Sequence, residues 1–160
     1  MTSSKLIRTT LTLAAVAAAG LAMAGDESFT GTCTRVVDGD TLVVARDGRQ
    51  ITVELAGVDA PELGQPFGKE VRTYLRKLIQ GSEVEVTVSR WEGDTAFGRV
   101  VAAGGDLSTT LATQGLARVT GDTTDAADLE ELQRRARSVP SGIWLHQDPA
   151  LPSTEATAAS

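Results

Sequence analysis

The sequence predicts a small closed β-barrel carrying about three helices. Apolar and polar residues alternate with period two over five separate segments. One segment of helical period interrupts them after the third. Turn signals built on Asp, Gly and Pro stand between the segments.

The elements follow in order. Strands are expected at Phe29–Val37, Leu42–Arg46 and Gln50–Ala56. The second and third are joined by Asp47-Gly48, a pair that tolerates positive φ and so signals a tight hairpin. The loop "DAPELGQPFG" comes next, with two prolines. A helix is expected from Gly68 to Gln80, because Val71, Tyr74, Leu75, Leu78 and Ile79 share one face, and Gly81 should end it. Strands resume at Glu83–Arg90 and Phe97–Ala102, around the polar loop "WEGDTA". Asp106 is placed to cap a helix over Leu107–Gln114, stopped by Gly115. An extended piece at Leu116–Val119 precedes a last helix from about Ala126 to Val139, with Leu129 and Leu132 as its core anchors and Pro140 closing it. Five strands with a helix after the third describe an OB-fold, a five-stranded Greek-key barrel. No internal repeat is present.

The chain has 160 residues, which suits one domain. Residues 1–24 stand apart from it: Lys5 and Arg8 precede an apolar run from Leu11 to Leu21, which ends in Ala22-Met23-Ala24. That is the pattern of a secretory signal peptide cut after Ala24, and the run is short for a membrane anchor. The mature product is expected to be secreted or periplasmic and monomeric. Residues 25–148 would form the domain, and the Ser/Thr/Ala-rich stretch 149–160 a disordered tail. Loss of Lys5 and Arg8 takes Lys+Arg from 15 to 13 against 21 Asp+Glu, so the mature net charge is about −8. Such a balance disfavours a general nucleic-acid coater but leaves room for an enzyme with a local basic site or a metal.

A single cysteine excludes an internal disulfide, so stability must come from packing, and Cys33 reads as a small buried hydrophobe. His146 is the only histidine; with no second His and no Cys pair, zinc is a poor fit, and a Ser-His-Asp triad would have to use His146 in a Pro-bounded tail.

Carboxylates concentrate around one hairpin. Asp38 and Asp40 lie in "DGDT", and Asp59 and Glu62 in "GVDAPE", with Glu54 just before. Antiparallel pairing around Asp47-Gly48 returns both loops to one end of the hairpin. Two Asp carboxylates with nearby carbonyls make a hard, all-oxygen site suited to Ca²⁺ or Mg²⁺. Each Asp can equally be a turn former beside Gly or Pro. A second candidate is "DTAFGR", where alternation puts Phe97, Arg99 and Val101 on one face. The guanidinium of Arg99 matches phosphate oxygens, or it forms a surface ion pair.

The segments "VVDGDTLVV", "VELAGVDAPE", "FGKE", "FGR", "LATQGLARV" and "SGIW", from about Thr34 to Trp144, resemble in content and order the thermonuclease (staphylococcal-nuclease-like) family. The resemblance implies an OB-fold nuclease. In it Asp40 and Asp59 would bind Ca²⁺ with help from the carbonyl of Ala60. Glu62 would be the general base, and Arg99 would clamp the phosphate of DNA or RNA, preferably single-stranded or unwound. "GIW" resembles the family's C-terminal latch. Three departures stand out. Glu54 occupies the position of the family's second phosphate-clamping arginine. The family's tyrosines are missing from "ARVTGDTT", and the lysine-rich loop is absent from the short "PELGQPFG". Reversing a charge about 5 Å from a phosphate is worth ~7 kcal/mol before solvent and salt reduce it to ~2–3 kcal/mol. The expectation is therefore a calcium-dependent nuclease with reduced or altered activity, the alternative being a non-catalytic OB binding module that keeps the metal loops.

Overall fold

The computed structural model describes residues 27–102, 105–139 and 142–145. The expected signal segment, His146 and the 149–160 tail lie outside the described residues. Among those described, no helix is long and apolar enough to cross a membrane.

The first three strands, β1 (Glu27–Val36), β2 (Thr41–Arg46) and β3 (Arg49–Leu55), form an antiparallel meander. Asp47 and Gly48 make the β2–β3 turn at φ 50° and 76°, the paired left-handed conformation that a two-residue hairpin needs. The two-residue β4 (Val58–Asp59) follows. Then come helix α1 (Gly68–Ile79), β5 (Glu83–Glu92), β6 (Thr95–Ala102) and the short β7 (Gly105–Asp106). The main sheet runs β3-β2-β1-β5-β6-β7, and a parallel pairing of β3 with β6 closes it into the expected barrel. Helix α2 (Leu107–Gln114), β8 (Arg118–Val119), α3 (Ala126–Ser138) and a 3₁₀ turn at Gly142–Trp144 complete the chain.

Closure uses two bulges. Register slips between Cys33 and Arg35 in β1, and between Val88 and Arg90 in β5. Each extra residue bends its strand and increases twist, which is what a narrow barrel demands. The interior is filled from alternate positions: Val53 and Leu55 on β3, Val84, Val86 and Val88 on β5, Ala96 and Val100 on β6. Cys33 is fully buried among them, and burial pushes its thiol pKa up, so it packs as a small hydrophobe. Helix α1 stops the barrel with Val71, Leu75 and Ile79, each worth about 1.5–3 kcal/mol on burial. Asp106 caps α2 as expected, accepting from Thr109 N at 2.7 Å.

Helix α3 differs in one anchor. Leu129 is buried, but Leu132 is only half-buried, and the second buried position is Ala136, two turns on. The neighbouring Gln133 turns inward to accept from Val119 N at 2.9 Å, so this stripe serves the short β8 as well as the core. Ile143 and Trp144 pack into the core, and Ile143 N donates to Gly115 O at 2.8 Å.

Candidate functional site

The two acidic loops meet at one rim of the barrel. Asp38 does turn chemistry: its Oδ1 accepts from Asp40 N at 3.2 Å and Thr41 N at 2.8 Å. Asp40 does something else. Its Oδ2 accepts from Ala60 N at 2.7 Å, reaching across to the second loop, and its Oδ1 accepts from the Thr41 hydroxyl at 3.3 Å. Gly39 makes the approach possible, because a Cβ there would lie 2.5 Å from Ala60 Cβ and 2.8 Å from Val71 Cγ1.

Asp59 is held by a pairing that the strand pattern did not reveal. Val58 and Asp59 pair antiparallel with Val119 and Arg118, which fixes the second loop from outside the barrel. Glu62 is exposed on a tight turn, where Gln65 N donates to Glu62 O at 2.8 Å and Glu62 N to Gln65 Oε1 at 3.2 Å. Helix α1 begins directly against that turn. A Cβ on Gly68 would sit 1.9 Å from Glu62 O, so only glycine lets the helix support the loop.

Electrostatics confirm the crowding. The Asp40 carboxyl is pushed up to about 7, first by burial and then by the Asp38 and Asp59 carboxylates, while the Ala60 N–H holds it back. Glu54 faces away from the barrel core, between buried Val53 and Leu55. Its pKa is raised first by partial burial and further by Asp38, Glu92 and Glu62, with Arg90 opposing. Asp38, Asp40, Glu54, Asp59 and Glu62 are therefore one acidic neighbourhood.

Arg99 is placed differently. It projects outward from β6, and its Nε meets Asp106 Oδ2 at 3.0 Å. Asp106 thus caps α2 and anchors the guanidinium at once. Arg99 edges a cleft of about 360 Å³, lined also by Ser89, Ser108, Asp122 and Asp125, and Asp40, Asp59 and Glu62 are not in its walls. With Nε committed to Asp106, the Nη edge of this half-exposed side chain is the part that can meet a ligand.

Residues 52–146 match the family described as staphylococcal nuclease homologue. The chain is 30% identical over 139 residues to a thermonuclease of Staphylococcus hyicus, covering 79% of this chain and 80% of that protein. It is 33% identical over 132 residues to a micrococcal nuclease of Shigella flexneri, covering 72% and 74%. An uncharacterized endonuclease of Escherichia coli O157:H7 is 31% identical over 124 residues, covering 76% and 81%. This chain belongs to the staphylococcal nuclease family. As a member it is a hydrolase of the nuclease class.

The donor set of this nuclease-family rim fits a hard cation. Among the described residues, no three His, Cys, Asp or Glu side chains gather into a ligand set of their own. A site here would combine the Asp40 and Asp59 carboxylates with a carbonyl such as that of Ala60, all oxygen donors of the kind Ca²⁺ takes. Asp38 and Asp40 are both buried at this rim, where a positive charge would offset the repulsion between neighbouring carboxylates. Two residues of interest escaped the sequence reading. Asp106 was legible as a cap but not as the partner of Arg99, because that contact depends on how β7 turns into α2. Arg90 was read as the end of a strand, although a charged residue in phase with Val84, Val86 and Val88 is a signal that alternation must slip there.

Proposed function

We propose that this family member is an exported, calcium-dependent nuclease that hydrolyses phosphodiester bonds of DNA or RNA. The Asp40–Ala60 hydrogen bond at 2.7 Å carries the reading, because it brings two carboxylate loops into one rim. Asp40, Asp59 and the Ala60 carbonyl would hold the cation. When bound, Ca²⁺ supplies positive charge against the phosphoryl oxygens. Glu62, exposed on its braced turn, takes a proton from the attacking water. Arg99 offers its Nη edge to a phosphoryl oxygen, with Asp106 preventing the guanidinium from wandering. The water oxygen joins phosphorus as the bond to the leaving oxygen breaks. Glu54 adds negative charge to the same neighbourhood and slows the reaction by repelling the substrate. Single-stranded or unwound nucleic acid is the substrate form, and the protein acts as a monomer.

The test measures calcium-dependent cleavage of single-stranded DNA by the wild type and by Glu62→Gln. Cleavage by the wild type, its loss in the variant, and equal calcium-induced stabilisation of both support the assignment. Unchanged cleavage in the variant removes Glu62 as the base. Glu54 also favours a second reading, a non-catalytic binding module; calcium-induced stabilisation of the wild type without any cleavage would establish it. Export from residues 1–24 is checked by an N-terminus at Gly25 in protein released by expressing cells.

A further inference from the structure

A second guanidinium stands on the outward face beside Arg99. By alternation Val84, Val86 and Val88 face the core, and position 90 would follow them inward. The β5 bulge prevents this. Val88 pairs with Gly98 but Arg90 pairs with Phe97, so Ser89 is the extra residue and Arg90 is turned to the outside. The Ser89 hydroxyl clasps the bulge by donating to Phe97 O at 2.9 Å. The Arg90 guanidinium lies over the Phe97 ring, 3.9 Å from its centroid. Two carboxylates steady it: Nε donates to Glu92 Oε1 at 3.0 Å, and Nη1 stands 3.8 Å from Asp122 Oδ2. One of its five N–H donors is committed at hydrogen-bond distance.

Its surroundings connect it to the site. On β6 Arg99 follows Phe97 by two residues, so it lies on the same face as the ring that Arg90 covers. Arg99 lines the cleft, and so do the chain neighbour of Arg90, Ser89, and its ion-pair partner, Asp122. Across β3, Glu54 pairs with Phe97 and experiences Arg90 as its opposing positive charge. The bulge that helps to close the barrel thus also turns this arginine onto the open face.

We propose that Arg90 binds a second phosphate, next along the strand from the one that Arg99 holds, so that this site selects a polynucleotide chain over a substrate with a single phosphate. The aromatic ring beneath fixes the plane of the fork, and the planar guanidinium presents paired donors to phosphate oxygens. The proposal rests on the nuclease reading above.

The experiment compares kinetics on a twelve-residue oligothymidylate and on thymidylyl-thymidine, which has one phosphate, for the wild type, Arg90→Gln and Arg90→Lys in Ca²⁺. Arg90→Gln should raise KM for the oligonucleotide about tenfold, with kcat little changed and the constants for the dinucleotide unaltered. The slope of log(kcat/KM) against log salt should fall by about 0.7 for the oligonucleotide, the loss of one phosphate contact on a single strand. Arg90→Lys keeps the charge and should keep the slope, while losing part of the affinity. Equal constants for Arg90→Gln and wild type on the oligonucleotide overturn the assignment. So does an equal loss on both substrates, which would make Arg90 only the neutraliser of Glu54. Absence of cleavage in the wild type overturns the nuclease reading itself, and this proposal with it.

Discussion

Replacing Asp40 by asparagine isolates the cost of the acidic rim. Asp40 is 9% exposed, and its carboxyl is pushed from an ordinary 3.8 up to about 7. Between those values the folded protein holds a proton that the unfolded chain releases, so the Asp40 contribution makes stability fall as pH rises from about 4 to about 7, and level off above. The full span corresponds to about 4 kcal/mol. Asparagine keeps an acceptor for Ala60 N but loses the charge-assisted part of that bond, worth about 1 kcal/mol. Without metal at pH 8, Asp40→Asn should therefore be more stable than the wild type by about 2–3 kcal/mol. At pH 4 the difference should vanish or reverse. Urea unfolding in EDTA at the two pH values measures it directly. Adding Ca²⁺ at pH 8 should raise the wild type and leave the variant where it was. The reasoning fails if the variant is no more stable than the wild type at pH 8 in EDTA, because Asp40 would then carry its charge without penalty.

Four further outcomes follow from particular contacts. Gly39→Ala drives a Cβ into Ala60 and Val71, and should cost about 1–3 kcal/mol of stability while weakening the Ca²⁺-induced rise in melting temperature. Glu54→Gln removes one negative charge from the outward face, and should raise the rate of single-strand cleavage about tenfold at low salt, an advantage that shrinks as salt is added. Asp106→Asn retains an acceptor for the α2 cap but loses the ionic hold on Arg99; melting temperature should move little while kcat falls several-fold. Trp144→Ala opens the core under the last turn, where Arg137 also lies over the indole at 4.1 Å, and should cost about 3–5 kcal/mol by urea unfolding.

Much of the barrel was legible because each local signal had one physical outcome. Asp47-Gly48 could hardly be anything but a two-residue turn, and Asp106 before Leu107 could hardly be anything but a cap. The alternation around Glu54 placed it outward, where it stands. The features that escaped are those in which the chain departs from its own period or pairs across a distance. One inserted residue at Ser89 reverses the face of Arg90, and period-two counting has no term for an insertion. The β4–β8 pair is two residues long on each side, too short to leave a pattern, yet it fixes Asp59. The sequence also placed Arg99 on the correct face without revealing that Asp106 occupies its Nε, since that partner is brought in by β7 folding back on β6.

The seam between β3 and β6 has a consequence for when this protein can be active. Thr52 through Leu55 must find Thr95 through Gly98, so the wall between the carboxylate rim and the arginines exists only after the middle of the chain has looped round. An extended or partly made chain holds every one of these acids and guanidiniums without setting the two groups against each other, because β3 and β6 lie far apart along the chain. Damage to nucleic acid is thus tied to completion of the fold, and whatever keeps the two halves apart, from a chaperone to a denaturant, works as a safety catch.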